Sequence, residues 1–144
     1  VSLPSFDPQE LQRFAQVFEE LFYASDPASM TSYYTEGAHL IAEGMQPIQG
    51  HAAITQFWRA AITRAAAARA QRTIQLHESH SSGDFGYALS SVTVQIPAAG
   101  DAPGASGTDI VAFDATIWQR DPGGTWRIAV DISTPVPRSP AHRS

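Results

Sequence analysis

From residue 8 onward Leu11, Phe14, Ala15, Phe18, Leu21 and Phe22 recur on the helical period with polar residues between them, which predicts an amphipathic helix with one apolar face. Asp7 as N-cap, Pro8 at the first helical position and Glu10 three residues after the cap mark its start. Asp26-Pro27 repeats that signal for a short second helix ending near Tyr34. His39 to Glu43 then reads as a strand ahead of a turn region at 44–50. A third helix runs from His51 to about Arg69, with Ile54, Phe57, Trp58, Ala61, Ile62 and Ala65 on its buried side and an Ala-rich, strongly helix-forming end.

After Arg72 the pattern changes to strands at 72–81, 85–96, 107–120 and 125–133. Ser82-Gly-Asp84, a Pro/Ala/Gly loop at 97–106 and Asp121-Pro-Gly-Gly124 separate them. Helices followed by an antiparallel meander make an α+β order. The 97–106 segment reads as a flexible solvent-facing connection, with a lid over a site as the alternative.

Composition narrows the class. A chain of 144 residues, 43% apolar, suits a single domain over 1–135, and 136–144 reads as a disordered tail. Net charge is -5, with nine arginines, no lysine and no basic cluster, so neither nucleic acid nor an anionic membrane is an expected partner. Cysteine is absent, which removes disulfides, thiolate nucleophiles and cysteine-held metals. The N-terminus lacks the charge and apolar run of a signal peptide, and no apolar stretch approaches about 18 residues, so the default location is cytoplasmic. The absence of lysine beside abundant Ala and Arg hints at a GC-rich bacterial gene.

Two segments carry a resemblance. Tyr34 to Trp58 follows the order Y-T-x-x-A-x-L … P-I-x-G-x-x-A-I-x-x-F-W, and Gly124 to Asp131 reads G-x-W-x-I-x-x-D. With two helical segments ahead of them, they resemble the NTF2-like superfamily, in its SnoaL-like and DUF4440 branch, over roughly residues 8–135. The resemblance implies a cone of three N-terminal helices on a curved, mostly antiparallel sheet enclosing a cavity. It also implies a homodimer through the outer sheet face. Fold alone does not settle function here. The steroid-isomerase members keep a base on the first strand, a tyrosine donor on the first helix and a protonated aspartate on a late strand. By the resemblance those places fall on Ala42, Phe18 and Thr116, none of which can do that work unchanged, so steroid isomerisation is not expected. Glu43 could replace the base only after a one-residue slip, since strand alternation points it to the opposite face.

Pairing supplies a different constellation. If Asp121-Pro-Gly-Gly124 closes a hairpin without a bulge, Arg120 faces Thr125, Trp118 faces Arg127, Thr116 faces Ala129 and Asp114 faces Asp131. Opposed carboxylates repel, and away from water one holds a proton while the other stays ionised, which supplies an acid and a base. Asp131 and Asp114 are therefore the candidate catalytic residues. Alternation leaves two choices of face. Either the set Asp114, Thr116, Trp118, Ala129, Asp131 and Ser133 lines the cavity, or the apolar set Phe113, Ala115, Ile117, Ile128, Val130 and Ile132 is the core. The resemblance favours the first, because dimerisation would bury the apolar set.

Tyr34, Tyr87 and Trp118 have polar atoms that want partners and are the candidate ligand-binding aromatics, with Thr116, Phe18 and Ala42. Trp58 and Trp126 are read as structural. His77 and His80 have opposite strand parity and share a face only through a bulge, His39 and His51 flank a strand and a helix, and His142 lies in the tail. No metal-ligand spacing emerges, so neither metal nor cofactor is expected. Two readings follow. One is a protein that binds a mainly apolar small molecule and performs cofactor-free isomerase, cyclase or dehydratase chemistry. The other is a non-catalytic dimeric binding or accessory module.

Overall fold

Asp7 accepts a hydrogen bond from the Glu10 backbone N–H at 2.8 Å, so α1 (Pro8–Tyr23) begins where its capping residues place it. Asp26 does the same for Ser29 at 3.1 Å, opening α2 (Pro27–Thr31). The remaining elements are β1 (Tyr34–Ala42), β2 (Ile48–Gln49), α3 (His51–Ala68), β3 (Gln71–Ser82), β4 (Phe85–Ile96), β5 (Thr108–Arg120) and β6 (Trp126–Pro135). These come from a computed structural model that describes residues 3–98 and 107–136. The expectations for the 97–106 loop, apart from its first two residues, and for the tail with His142 lie outside the described residues.

The six strands form one open sheet in the order β2-β1-β6-β5-β4-β3. Every pairing is antiparallel except β1 with β6, which is parallel. Three helices cover one face, as an α+β cone requires. β1 starts at Tyr34, well before the His39 that its alternation suggests. Between Tyr34 and His39 its register against β6 shifts, and the Thr-Glu-Gly run there breaks the apolar period.

Leu11, Phe18 and Phe22 of α1, Met30 and Tyr33 at α2, Ile54, Trp58 and Ile62 of α3 and Leu40, Trp118, Trp126 and Ile128 of the sheet make one core. Leu3 pairs with Trp126 and brings Phe6 over Gly86, where a Cβ would stand 2.7 Å from the Phe6 ring. No helix among the described residues is long and apolar enough to cross a membrane.

The β5–β6 hairpin departs from the expected register twice. Asp121 N–H donates to Thr125 O at 2.9 Å and the Asp121 carboxylate accepts from Thr125 N–H at 3.0 Å, so Thr125 joins the loop and Arg120 faces Trp126. Gly124, at φ +86°, supplies the left-handed residue that this closure needs. A second shift between Ile117 and Trp118 leaves Ala129 as the extra residue of β6. Each one-residue shift exchanges the two faces, so between them Trp126 and Ile128 turn inward, correcting the placement of Ile128 on the outer face. Beyond both shifts the parity returns. Asp131 is back on the inner face, but opposite Thr116, while Asp114 faces Ser133. The direct Asp114–Asp131 pairing is thus corrected to a diagonal one on the same face.

Candidate functional site

Between the helices and the inner sheet face lie two adjoining hollows that share part of their walls. The inner one, about 60 Å3, is walled by Phe14, Phe18, Tyr34, Leu76, Thr116, Trp118 and Ile128 among others. The outer one, about 370 Å3, is walled mainly by Phe22, Leu40, Phe57, Ala61, Ala65, Val94 and Ala112. The inner space suits about two waters, and the outer falls in the range of small-molecule pockets. Trp58, Arg72, Val92, Asp114 and Asp131 belong to both walls, so the polar groups stand where the hollows meet.

Asp131 is the organising group there. Its Oδ2 accepts from the Tyr34 hydroxyl at 2.6 Å, and that hydroxyl accepts from Trp58 Nε1–H at 3.3 Å. Asp131 Oδ1 is buried without a hydrogen-bond partner. Burial pushes the Asp114 carboxyl well above the usual carboxylate range, and the neighbouring Asp131 charge pushes it further. Burial also raises Asp131, opposed by hydrogen bonds from Asp114 and Tyr34. A single proton shared by the pair and held on Asp114 would offer a donor to the orphaned oxygen and leave Asp131 ionised. Burial and the same negative charge hold the Tyr34 hydroxyl well above its ordinary value, so it remains a donor.

Arg72 and Glu19 complete the charged set, and neither was singled out by the sequence pattern. Tyr23 clamps the Arg72 backbone, accepting from its N–H at 2.7 Å and donating to its carbonyl at 3.2 Å. The Arg72 guanidinium lies over the Phe22 ring at 4.3 Å and the Trp58 ring at 5.5 Å. It stands 3.4 Å from Glu19 Oε1, yet both Glu19 oxygens are buried without a directed hydrogen bond. Burial raises the Glu19 carboxyl, with Arg72 opposing. A signal for Glu19 existed: it sits beside Phe18 and four residues after Ala15, a charge within the apolar stripe.

The other candidates divide. Tyr34, Phe18, Thr116 and Trp118 line the inner hollow, with Trp118 Nε1–H donating to Thr116 Oγ1 at 2.8 Å. Ala42 packs partly buried against the core but lines neither hollow. Tyr87 is a correction. It faces Ile117 on the outer side of the sheet, and its hydroxyl donates to Glu78 at 2.6 Å, because one residue of β4 parity separates it from the inward Ala88. Trp58, read as structural, reaches the polar junction instead. Glu43 lies past the end of β1, away from both hollows, and His39 is exposed. A register shift between Leu76 and Glu78 lets His77 and His80 share the outer face, where His77 bonds Ser91 at 2.8 Å and His80 stands beside Tyr87.

A family model described as a SnoaL-like domain matches residues 11–120. No curated protein matches the chain. Among solved structures, an NTF2-like protein with a cystatin-like fold from Novosphingobium aromaticivorans superposes with a TM-score of 0.76 at 16% identity, covering 95% of this chain and 86% of that one. A ketosteroid isomerase-like protein from Erwinia carotovora atroseptica gives 0.65 at 12%, covering 86% and 92%. A Streptomyces protein, Aln2, gives 0.67 at 17%, covering 89% and 91%. At such identities the likeness is one of fold.

Proposed function

The chain belongs to the SnoaL-like domain family of the NTF2-like superfamily, and from that premise we propose that it encloses a mainly apolar small molecule and acts on it without a cofactor. The chemistry is proton transfer of the isomerase, cyclase or dehydratase kind, with ionised Asp131 as base and protonated Asp114 as acid. One observation carries this reading: two buried carboxyls stand together at the junction of two largely apolar hollows, where burial raises both and the Asp131 charge raises Asp114 further. Tyr34 orients the pair, and Phe18, Thr116 and Trp118 wall the space beside it. A non-catalytic binding module is the second reading. Its support is the 2.6 Å bond from the Tyr34 hydroxyl, which would equally suit Asp131 as a structural acceptor.

Both readings need the outer hollow to be the binding space. Ala65, on α3 and in its wall, is the place to fill it: Ala65→Trp is expected to weaken binding of an apolar solvatochromic dye by at least about 10-fold, with the helical circular dichroism retained. About 1.4 kcal/mol of lost contact is enough for that change. Unchanged dye binding by the variant, or none by the wild type, would reject the hollow as the site.

The outer sheet face bears on assembly. Leu89, Phe113, Ile117 and Ile132 are between 37% and 52% exposed there, beside Tyr87. Burying such a patch against a second copy removes it from water. A homodimer through this face is therefore expected, even though Ile128 has turned inward and no longer contributes. Sedimentation that shows only monomer at micromolar concentration counts against it.

A further inference from the structure

Arg72 is a buried cation whose hydrogen-bonding capacity is unused. Its side chain is 10% exposed, it belongs to the wall of both hollows, and among the described residues its guanidinium makes no directed hydrogen bond. A guanidinium carries five N–H donors, and those of Arg72 are not sealed away like the Glu19 oxygens but keep some exposure at the wall of the two hollows. The nearest carboxylate, Glu19, lies 3.4 Å away in poor alignment and is itself unsatisfied. The Phe22 and Trp58 ring faces cover its plane, and Asp114 and Asp131 share the hollow walls with it while making no ion pair with it. The backbone beneath is fixed by two hydrogen bonds with the Tyr23 hydroxyl, one accepted from Arg72 N–H and one donated to its carbonyl.

We propose that Arg72 is the polar anchor of the cavity, receiving an uncharged carbonyl oxygen of an otherwise apolar ligand beside Asp114 and Asp131. This rests on the reading of the cavity as a small-molecule site. The charge balance selects a carbonyl over a carboxylate. Asp114 and Asp131 with one shared proton carry one negative charge, and Glu19 adds to it whenever it is ionised. Against these stand Arg72 at the junction itself and, farther out in the wall of the outer hollow, the exposed Arg64. A carboxylate entering this space would meet like charges on two sides, whereas a ketone or ester oxygen takes the open donors and adds no charge. A plain hydrocarbon would fill the apolar walls and leave Arg72 unsatisfied.

Three probes of similar shape test the idea on the full chain: methyl naphthyl ketone, isopropylnaphthalene and naphthoate, titrated calorimetrically. The wild type is expected to bind the ketone about 10-fold more tightly than the hydrocarbon, the worth of one charge-assisted hydrogen bond, and naphthoate more weakly than the ketone. Arg72→Met, of similar length but without donors, should bind ketone and hydrocarbon alike, and its retained hydrocarbon affinity shows that the pocket is intact. A ketone preference that survives in Arg72→Met, or naphthoate binding tighter than the ketone, would overturn the assignment while leaving the cavity reading standing. Failure of all three probes to bind the wild type would overturn both. Should Arg72→Met not fold, the infrared carbonyl stretch of the ketone bound to the wild type decides. A stretch shifted well below its value in hexane supports the anchor, and one at the hexane value rejects it.

Discussion

Under the proposed proton-transfer function, replacing Asp131 by Asn is expected to leave the protein folded while lowering turnover by about 100- to 10 000-fold, the usual worth of a positioned acid or base. The substitution keeps the shape and both hydrogen bonds. The amide oxygen can accept from Tyr34, as Oδ2 does at 2.6 Å, and the amide N–H groups can donate to Asp114. What disappears is the negative charge that opposes a second one on Asp114. Stability should consequently hold or rise, and the Asp114 carboxyl should fall toward the ordinary range.

The pH dependence carries a definite sign. A carboxyl raised by folding binds its proton more tightly in the folded chain, so its contribution is complete below the unfolded value of about 4 and is lost as pH rises through the folded value. Asp114, Asp131 and Glu19 are all raised by burial, so wild-type stability should decline from about pH 4 upward. Asp131→Asn should make that decline shallower, and Glu19→Gln separates the contribution of the third carboxyl. Urea unfolding at several pH values, with carboxyl carbon NMR titration, measures both effects. If Asp131 instead titrates below the ordinary carboxylate range and Asn costs about 1–3 kcal/mol, it is a structural acceptor and the binding-module reading prevails.

Trp118→Ala should be the most destabilising single change in the sheet, by about 3–5 kcal/mol. The side chain is fully buried and meets Phe14 and Phe6 edge-on, at centroid distances of 5.0 and 5.9 Å. Truncation removes those contacts and enlarges the inner hollow, now about 60 Å3, on its aromatic side. It also takes the N–H donor from Thr116 Oγ1. Against a typical total of about 5–15 kcal/mol this is a large share, visible as a lower urea midpoint with unchanged slope. A loss below about 1 kcal/mol would mean that the wall repacks. Ile117→Ala, one position away on the exposed face, should weaken self-association rather than the fold of one chain.

Element types and the order of helices before strands were legible because they follow from local chemistry. Asp7-Pro8 and Asp26-Pro27 satisfy helix N–H groups within a few residues, and the apolar stripe of α1 needs only its own period. Which residues share a strand face is likewise a counting argument, and it put Asp114 and Asp131 together on the inner face. It reached the right face only because two unforeseen register shifts cancel. Between them the count fails, and Ile128 is inward where it was expected outward.

What the tertiary structure decided involves groups distant in the chain. Tyr34 meets Asp131 across 97 positions and Tyr23 holds Arg72 across 49. No local pattern records such meetings. Arg72 and Trp58 become part of the polar junction, and Tyr87 leaves it, through the register of β3 and β4 and the seating of α3 on the sheet. The sequence by itself determined which segments would be helix or strand and which positions carry titratable or hydrogen-bonding groups, because those depend on the residue and on neighbours a few bonds away. Which of those residues share one dry space depended on bulges and packing, where a single inserted residue turns a side chain from solvent to cavity.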